Sequence, residues 1–213
     1  MLITLFIGDL DMKNIMTGTA ENHVAFSRRI AAVFPTLDAR YEMIERAYNT
    51  AKDSFRGVMR DGGERYFEHL REVTLILTDH LRVRDHQLIV AALLHDMVED
   101  VPFWSVERIE REFGRDIAVL VEWVTKPPQG SFPDKDARDH AYHARLLEAP
   151  RDVAILKLAD RLHNVRTLWS CSPEKRQRKI EETRRWYLPL AEKHIILIHE
   201  LETALVALET EAM

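Results

Sequence analysis

Seven apolar residues in a row, Leu88-Ile89-Val90-Ala91-Ala92-Leu93-Leu94, run without a break into His95-Asp96-Met97-Val98-Glu99-Asp100. Few architectures accommodate that junction. A run apolar on every side must be buried on every side, yet it ends in one imidazole and three carboxylates. Read as a helix, its 3.6-residue period sets His95 one turn from Glu99 and Asp96 one turn from Asp100, with Asp96 and Glu99 also neighbours at i, i+3. Uncompensated carboxylates at the end of a core helix are costly. A divalent cation relieves that cost, because it accepts neutral imidazole and carboxylate as ligands. The plainer reading is a solvated acidic helix end ahead of the helix-stopping Pro102. On these six residues the two readings stand level.

The rest of the chain narrows the fold class. With 213 residues, 46% of them hydrophobic, it can bury a substantial core as one domain. Only 7 Gly and 8 Pro occur, and no long alternating β-branched run appears, so the expectation is all-α. A net charge of −5 without a basic stripe argues against a nucleic acid polymer as partner. The lone Cys171 excludes an internal disulfide framework and a cysteine-rich zinc site, and fits a reducing, cytoplasmic setting. The apolar stretch Met1–Ile7 lacks a basic n-region and is far short of a membrane span, so neither a signal peptide nor a membrane partner is expected. Residues 1–21 read as an N-terminal extension and 22–213 as the domain, with Met12 and Met16 leaving a later start open.

Taken in order, residues 22–34 and 38–55 read as helices parted by Pro35, and Arg60 to Arg65 as a loop broken by paired glycines. Tyr66 opens a helix running to about Leu81, and Gln87 starts the central one. Ser105 caps a helix ending at Gly114, and Asp116 caps the next. Pro127 to Pro133 is the one long loop. Residues 136–149 form a helix stopped by Pro150, and Asp152 caps a helix reaching about Trp169. On it Ile155, Leu158, Leu162, Val165 and Trp169 make the packed face. Asp160, Asn164 and Thr167 recur at i, i+4, i+7 as a polar stripe that needs partners. Ser172-Pro173-Glu174 starts a last helix, broken or kinked near Pro189 and resuming to about Leu208. His140 and His143 read as ordinary surface residues, and the basic residues from Lys175 to Arg185 as a solvated face or an attractor of anions.

His69, then His95-Asp96, then Asp160 is the ligand order of the HD phosphohydrolase superfamily. Ala91 to Asp100 and Leu156 to Leu168 resemble the hydrolase domain of the RelA/SpoT alarmone enzymes. So do Val124-Thr125-Lys126 and Glu182-Thr183 followed by Pro189-Leu190-Ala191. Arg60 to His69 is similar to that family's Arg-x-x-Gly-Glu-Pro-Tyr-x-x-His segment. The resemblance covers roughly residues 51–191 and implies a single-domain HD-type helical bundle. It implies His69, His95, Asp96 and Asp160 as ligands of one divalent ion, Mn²⁺ in the family, with Zn²⁺ or Fe²⁺ also compatible. It implies Glu99 and Asp100 as the catalytic pair, and Arg60, Asn164 and Thr167 as contacts to a guanine nucleotide. The implied reaction removes the 3′-diphosphate of guanosine 3′,5′-bis(diphosphate) as pyrophosphate, leaving GDP or GTP. Glu99 would orient or deprotonate the attacking water, and Asp100 would assist at the leaving oxygen. His163, three residues after Asp160, reads as a packed or supporting residue.

The sequence departs from the family pattern at Phe55, where His is usual, and at Val58, where Gln is common. Arg65 and Leu70 stand where Pro is usual, and Val101 where Thr is usual. Gly62 replaces a frequent Ser beside the base pocket. These changes bear on base specificity and leave other nucleotide substrates open: an adenosine alarmone, NADPH or a nucleoside monophosphate. A catalytically silent nucleotide sensor is the reading from a different class, and the intact Glu99-Asp100 pair argues against it. With little chain beyond Ala191, the expectation is a stand-alone small hydrolase.

Overall fold

The computed structural model describes residues 22–210; the N-terminal extension 1–21 and the start-site question lie outside the described residues. The helices are α1 (His23–Ala31), α2 (Ala39–Ser54), α3 (Tyr66–Leu75), α4 (His86–Leu94), α5 (Met97–Asp100), α6 (Val106–Phe113) and α7 (Arg115–Val124). There follow α8 (Lys135–Leu147), α9 (Arg151–Arg166), α10 (Pro173–Glu182), α11 (Leu188–His194) and α12 (Ile198–Thr210). Among the described residues there is no strand, only an isolated bridge between Met59 and Arg65 that closes the glycine loop. The all-α expectation holds.

Local chemistry sets most of the helix starts. Asn22, Asp38, Asp85, Ser105, Asp134 and Ser172 each cap the following helix by accepting an N–H of its first turn. Apolar on all sides, α4 is buried on all sides: Leu88 is 2% exposed and the next six residues 0%. It packs against α2, α3, α7 and α9, and α9 closes the core against α11 and α12. The C-terminal end of α4 is thus fixed by wholly apolar packing, and α9 by an apolar face that also encloses Lys157, Asp160 and Arg161. No helix among the described residues is long and apolar enough to cross a membrane.

Several boundaries differ from the expectation, each for a local reason. The central helix does not continue through the acidic stretch. It ends at Leu94, Asp96 adopts φ −96° and ψ −1°, and the chain restarts as the short α5. Asp116 does not cap α7. Gly114, at φ +100°, makes that junction, and Asp116 lies in the first turn accepting from Gln87 Nε2 at 2.9 Å. Asp152 likewise sits inside α9, which begins after Pro150. Trp169 is 58% exposed, because α9 ends at Arg166 and a 3-10 turn swings it outward. The last helix is interrupted just ahead of Pro189, as expected, by a π-helical turn, and Pro189 falls in the first turn of α11, where its missing N–H costs little. A second break comes at Ile195 and Leu197, both with φ near +55°. Two π-helical turns, Ile76–His80 and Thr183–Tyr187, extend α3 and follow α10.

Candidate active site

Three helices deliver four side chains to one buried point. His69 projects from the second turn of α3, His95 and Asp96 occupy the break between α4 and α5, and Asp160 comes from the middle of α9. His69 Nε2 lies 3.5 Å from Asp96 Oδ2 and 3.2 Å from Asp160 Oδ1. His95 Nε2 lies 3.2 Å from Asp96 Oδ2 and 3.7 Å from Asp160 Oδ1. The imidazoles are 2% and 1% exposed.

Hydrogen bonding settles which ring nitrogens face inward with a lone pair. His95 Nδ1 donates to the Ala92 carbonyl at 2.9 Å, leaving Nε2 buried and without a hydrogen-bond partner. His69 Nδ1 lies 2.8 Å from His163 Nδ1, which in turn lies 3.4 Å from Arg60 Nη1. A guanidinium only donates, so His163 Nδ1 accepts, and His69 Nδ1 must be its other donor. His69 Nε2 is then also a lone pair aimed at the carboxylates. Burial, reinforced by Arg60, holds His163 well below the usual imidazole range, in the neutral form this role needs. Two inward imidazole lone pairs and two carboxylates fit a divalent cation: His69, His95 and Asp96 form a group able to hold a metal, and Asp160 Oδ1 adjoins it. Burial alone would depress His95, but Asp96 and Asp160 overcome it and push the imidazole up to about 10.

Residues that sequence reasoning passed over support the cluster. Lys157 is 8% exposed, and its Nζ lies 2.8 Å from Asp160 Oδ2. Burial opposes its charge, but Asp160 outweighs that and keeps the ammonium protonated. The Tyr66 hydroxyl bridges Asp96 Oδ2 at 2.8 Å and Asp100 Oδ2 at 2.6 Å. Phe55 stacks flat on the Tyr66 ring, centroids 4.6 Å apart, so the family's usual His is here an apolar backing for that bridge.

Glu99 and Asp100 lie on α5 beside the cluster. Glu99 Oε1 accepts the Lys126 backbone N–H at 2.8 Å, which ties α5 to the end of α7. Both carboxyls are reachable by solvent but hemmed in by protein, and that desolvation raises both above the ordinary carboxylate range.

Next to the cluster opens a cleft of about 320 Å³. Arg60 spans it, Nη2 donating to Asn164 Oδ1 at 2.6 Å and Nη1 to Thr167 Oγ1 at 3.3 Å. Asn164 Nδ2 donates to Asp160 Oδ1 at 2.5 Å, linking cleft to cluster. The structure thus aligns Asp160, Asn164 and Thr167 on one face, as their i, i+4, i+7 spacing suggested, and sets Arg60 against Asn164 and Thr167. Arg161, Lys175 and Lys179 also line the cleft, so part of the basic run faces a site rather than open solvent. His143 is not a surface residue. It is 4% exposed, stacked on Trp186, with Nε2 3.4 Å from Glu182 Oε1.

Known proteins share much of this sequence and fold. The chain is 38% identical over 173 residues to the bifunctional (p)ppGpp synthase/hydrolase SpoT of Escherichia coli K12, an alignment covering 80% of the chain and 24% of that protein. It is 40% identical over 154 residues to the guanosine-3′,5′-bis(diphosphate) 3′-pyrophosphohydrolase of Aquifex aeolicus, covering 71% of the chain and 21% of the relative. The chain therefore spans about a quarter of the length of these curated relatives. The solved structure of a metazoan ortholog of SpoT that hydrolyzes ppGpp superposes with a TM-score of 0.68 at 26% identity, covering 76% of this chain and 93% of that one. Residues 47–196, which hold every side chain of the cluster and the cleft, match the HD domain family, and to that family the chain belongs.

Proposed function

We propose that this chain is a metal-dependent phosphohydrolase that removes the 3′-diphosphate of guanosine 3′,5′-bis(diphosphate), or of its pentaphosphate counterpart, as pyrophosphate, leaving GDP or GTP in the cytoplasm. The observation that carries the reading is the convergence of the two inward lone pairs of His69 and His95 with Asp96 and Asp160, one hydrogen bond away from the Arg60–Asn164–Thr167 cleft. His69, His95, Asp96 and Asp160 would hold one divalent ion, Mn²⁺ in this reading. When bound, such an ion supplies Lewis acidity toward the phosphoryl oxygens and acidity to water.

The chain's own residues supply the rest. Arg60, fixed by four acceptors, offers its planar face to a purine. Asn164 and Thr167 offer polar groups to base and ribose. Glu99, raised by burial and pinned by the Lys126 N–H, takes a proton from water as its oxygen attacks the phosphorus next to O3′. The P–O3′ bond breaks, and Asp100, its carboxyl also raised and bonded to Tyr66, returns a proton to O3′. Water, substrate and the two carboxyls thus balance to a 3′-hydroxyl and pyrophosphate. The test is a panel of guanosine, adenosine and nicotinamide nucleotides with Mn²⁺, scoring pyrophosphate against orthophosphate. Pyrophosphate from the guanosine bis(diphosphate) is expected; orthophosphate alone, or turnover only of other nucleotides, would overturn the reading.

A further inference from the structure

Gly62 lies directly against the ends of two side chains. Its backbone is not among the positive-φ glycines, so no left-handed turn demands it. A Cβ there would collide with the Glu64 carboxylate Oε2 and lie 2.9 Å from Ser170 Oγ. The missing side chain lets the Glu64 carboxylate and the Ser170 hydroxyl converge on one spot in the cleft wall. Ser170 Oγ spends its proton on the Thr167 carbonyl at 3.0 Å, so its lone pairs face outward. Glu64 Oε1 is 3.4 Å from Arg60 Nη1, a long contact that orients the carboxylate without saturating it. The other cleft carboxylate, Asp61, is engaged by Lys175. Beside the guanidinium face on which a base would lie, the cleft therefore presents acceptors and no competing donor from Gly62.

From this, resting on the function proposed above, we infer that Glu64, seated by Gly62 and assisted by Ser170, is a specificity-determining residue that reads the donor edge of the purine. Guanine presents two adjacent donors there, N1–H and the 2-amino group, to one carboxylate. Hypoxanthine presents one, and adenine turns an N1 lone pair toward the carboxylate and is repelled. An unsatisfied or repelled polar group in such a pocket is what generates discrimination.

The experiment is equilibrium binding of guanosine, inosine and adenosine 3′,5′-bis(diphosphates) to the Mn²⁺-loaded protein, with pyrophosphate release measured in parallel. Wild type should prefer guanosine to inosine, and inosine to adenosine. In Glu64→Ala the affinity for guanosine should fall roughly tenfold to a hundredfold, the range for hydrogen bonds to a charged acceptor, while adenosine changes less than about threefold. Gly62→Ala, which displaces the carboxylate without removing it, should reproduce the lost preference, and Glu64→Gln should retain part of it. Equal losses for all three bases would mean that Glu64 merely props Arg60 and would overturn the inference, as would an unchanged guanosine preference in both variants. Preserved preference in wild type with no turnover of any nucleotide would instead sink the hydrolase reading and leave this one standing.

Discussion

Removing the positive charge of Lys157 tests the electrostatic argument at the heart of the cluster. Its ammonium lies 2.8 Å from Asp160 Oδ2, and Lys157 is 8% exposed. At an effective dielectric constant near 20, that separation corresponds to a gross attraction of about 6 kcal/mol. Desolvation offsets much of it, and breaking one partner of a buried pair costs about 3–5 kcal/mol. Asp160 keeps partial compensation at its other oxygen, from the Asn164 amide at 2.5 Å, which favours the lower end. Lys157→Met keeps the length of the side chain, so its packing cost should stay under about 1.5 kcal/mol. In EDTA the variant should lose on the order of 3 kcal/mol, a fall in Tm of about 6–12 °C for a domain of this size. With excess Mn²⁺ the ion would compensate Asp160 in place of the lysine, and the deficit should shrink by half or more. Differential scanning calorimetry of both proteins in EDTA and in Mn²⁺ reads this directly. An identical deficit in both conditions would refute the pairing of Asp160 with a metal, and no deficit in EDTA would refute the buried charge pair.

Three further expectations follow from the geometry. His95→Ala removes an inward lone pair that has no other partner; bound metal measured after gel filtration should drop from about one ion per chain to near zero, and an unchanged content would refute the assignment. Glu99→Gln should bind Mn²⁺ and nucleotide almost normally yet release pyrophosphate on the order of 10² to 10⁴ times more slowly, the usual worth of a positioned base. Because burial raises the Glu99 carboxyl and a base works only deprotonated, wild-type kcat should fall on the acid side at a pH above that of an ordinary glutamate, and this limb should vanish in the variant. Asn164→Ala cuts the link from Arg60 to Asp160; steady-state kinetics should show KM rising more than kcat falls, and a normal KM would place the base elsewhere.

What could be read in the sequence was whatever depended on local period and on residue type. The all-apolar run Leu88–Leu94 announces a buried helix, and the stripe of Asp160, Asn164 and Thr167 announces a shared face; both survive intact in the fold. The period failed where it assumed continuity. Carrying 3.6 residues per turn through His95 and Asp96 ignores the break there, which sets Glu99 and Asp100 on a separate short helix. Tyr66 escaped notice because it reads as a helix opener, and its reach to Asp96 and Asp100 exists only once α3 crosses the end of α4. His143 looked exposed because the rings that bury it, Trp186 and Tyr187, arrive from a π-helical turn more than forty residues downstream. Lys157 did leave a signal: a lone cation inside Val153-Ala154-Ile155-Leu156-Lys157-Leu158-Ala159, three residues before an acid, has no reason to be there unless it neutralises that acid.

The distribution of charge then explains why cluster and cleft belong to one site. Arg60, Arg161, Lys175 and Lys179 line the cleft, a wall that suits the phosphorylated nucleotide of the proposed function. Beside it sit two carboxylates, the half-buried Asp96 and the buried Asp160, with Lys157 placed to balance only Asp160. A diphosphate held by that wall would meet net negative charge at the end nearest the cluster. In a buried environment that repulsion is screened far less than in water. Protonating His95 covers the deficit in part, which is why its imidazole is pushed up to about 10 against the opposition of burial. A divalent ion covers it fully and leaves a surplus of positive charge for the phosphoryl group. Under the proposed function, metal and nucleotide would therefore be thermodynamically coupled, each raising the affinity for the other by the same factor. The coupling needs no moving part; it is built into the placement of one lysine among three helices that supply two imidazoles and two carboxylates.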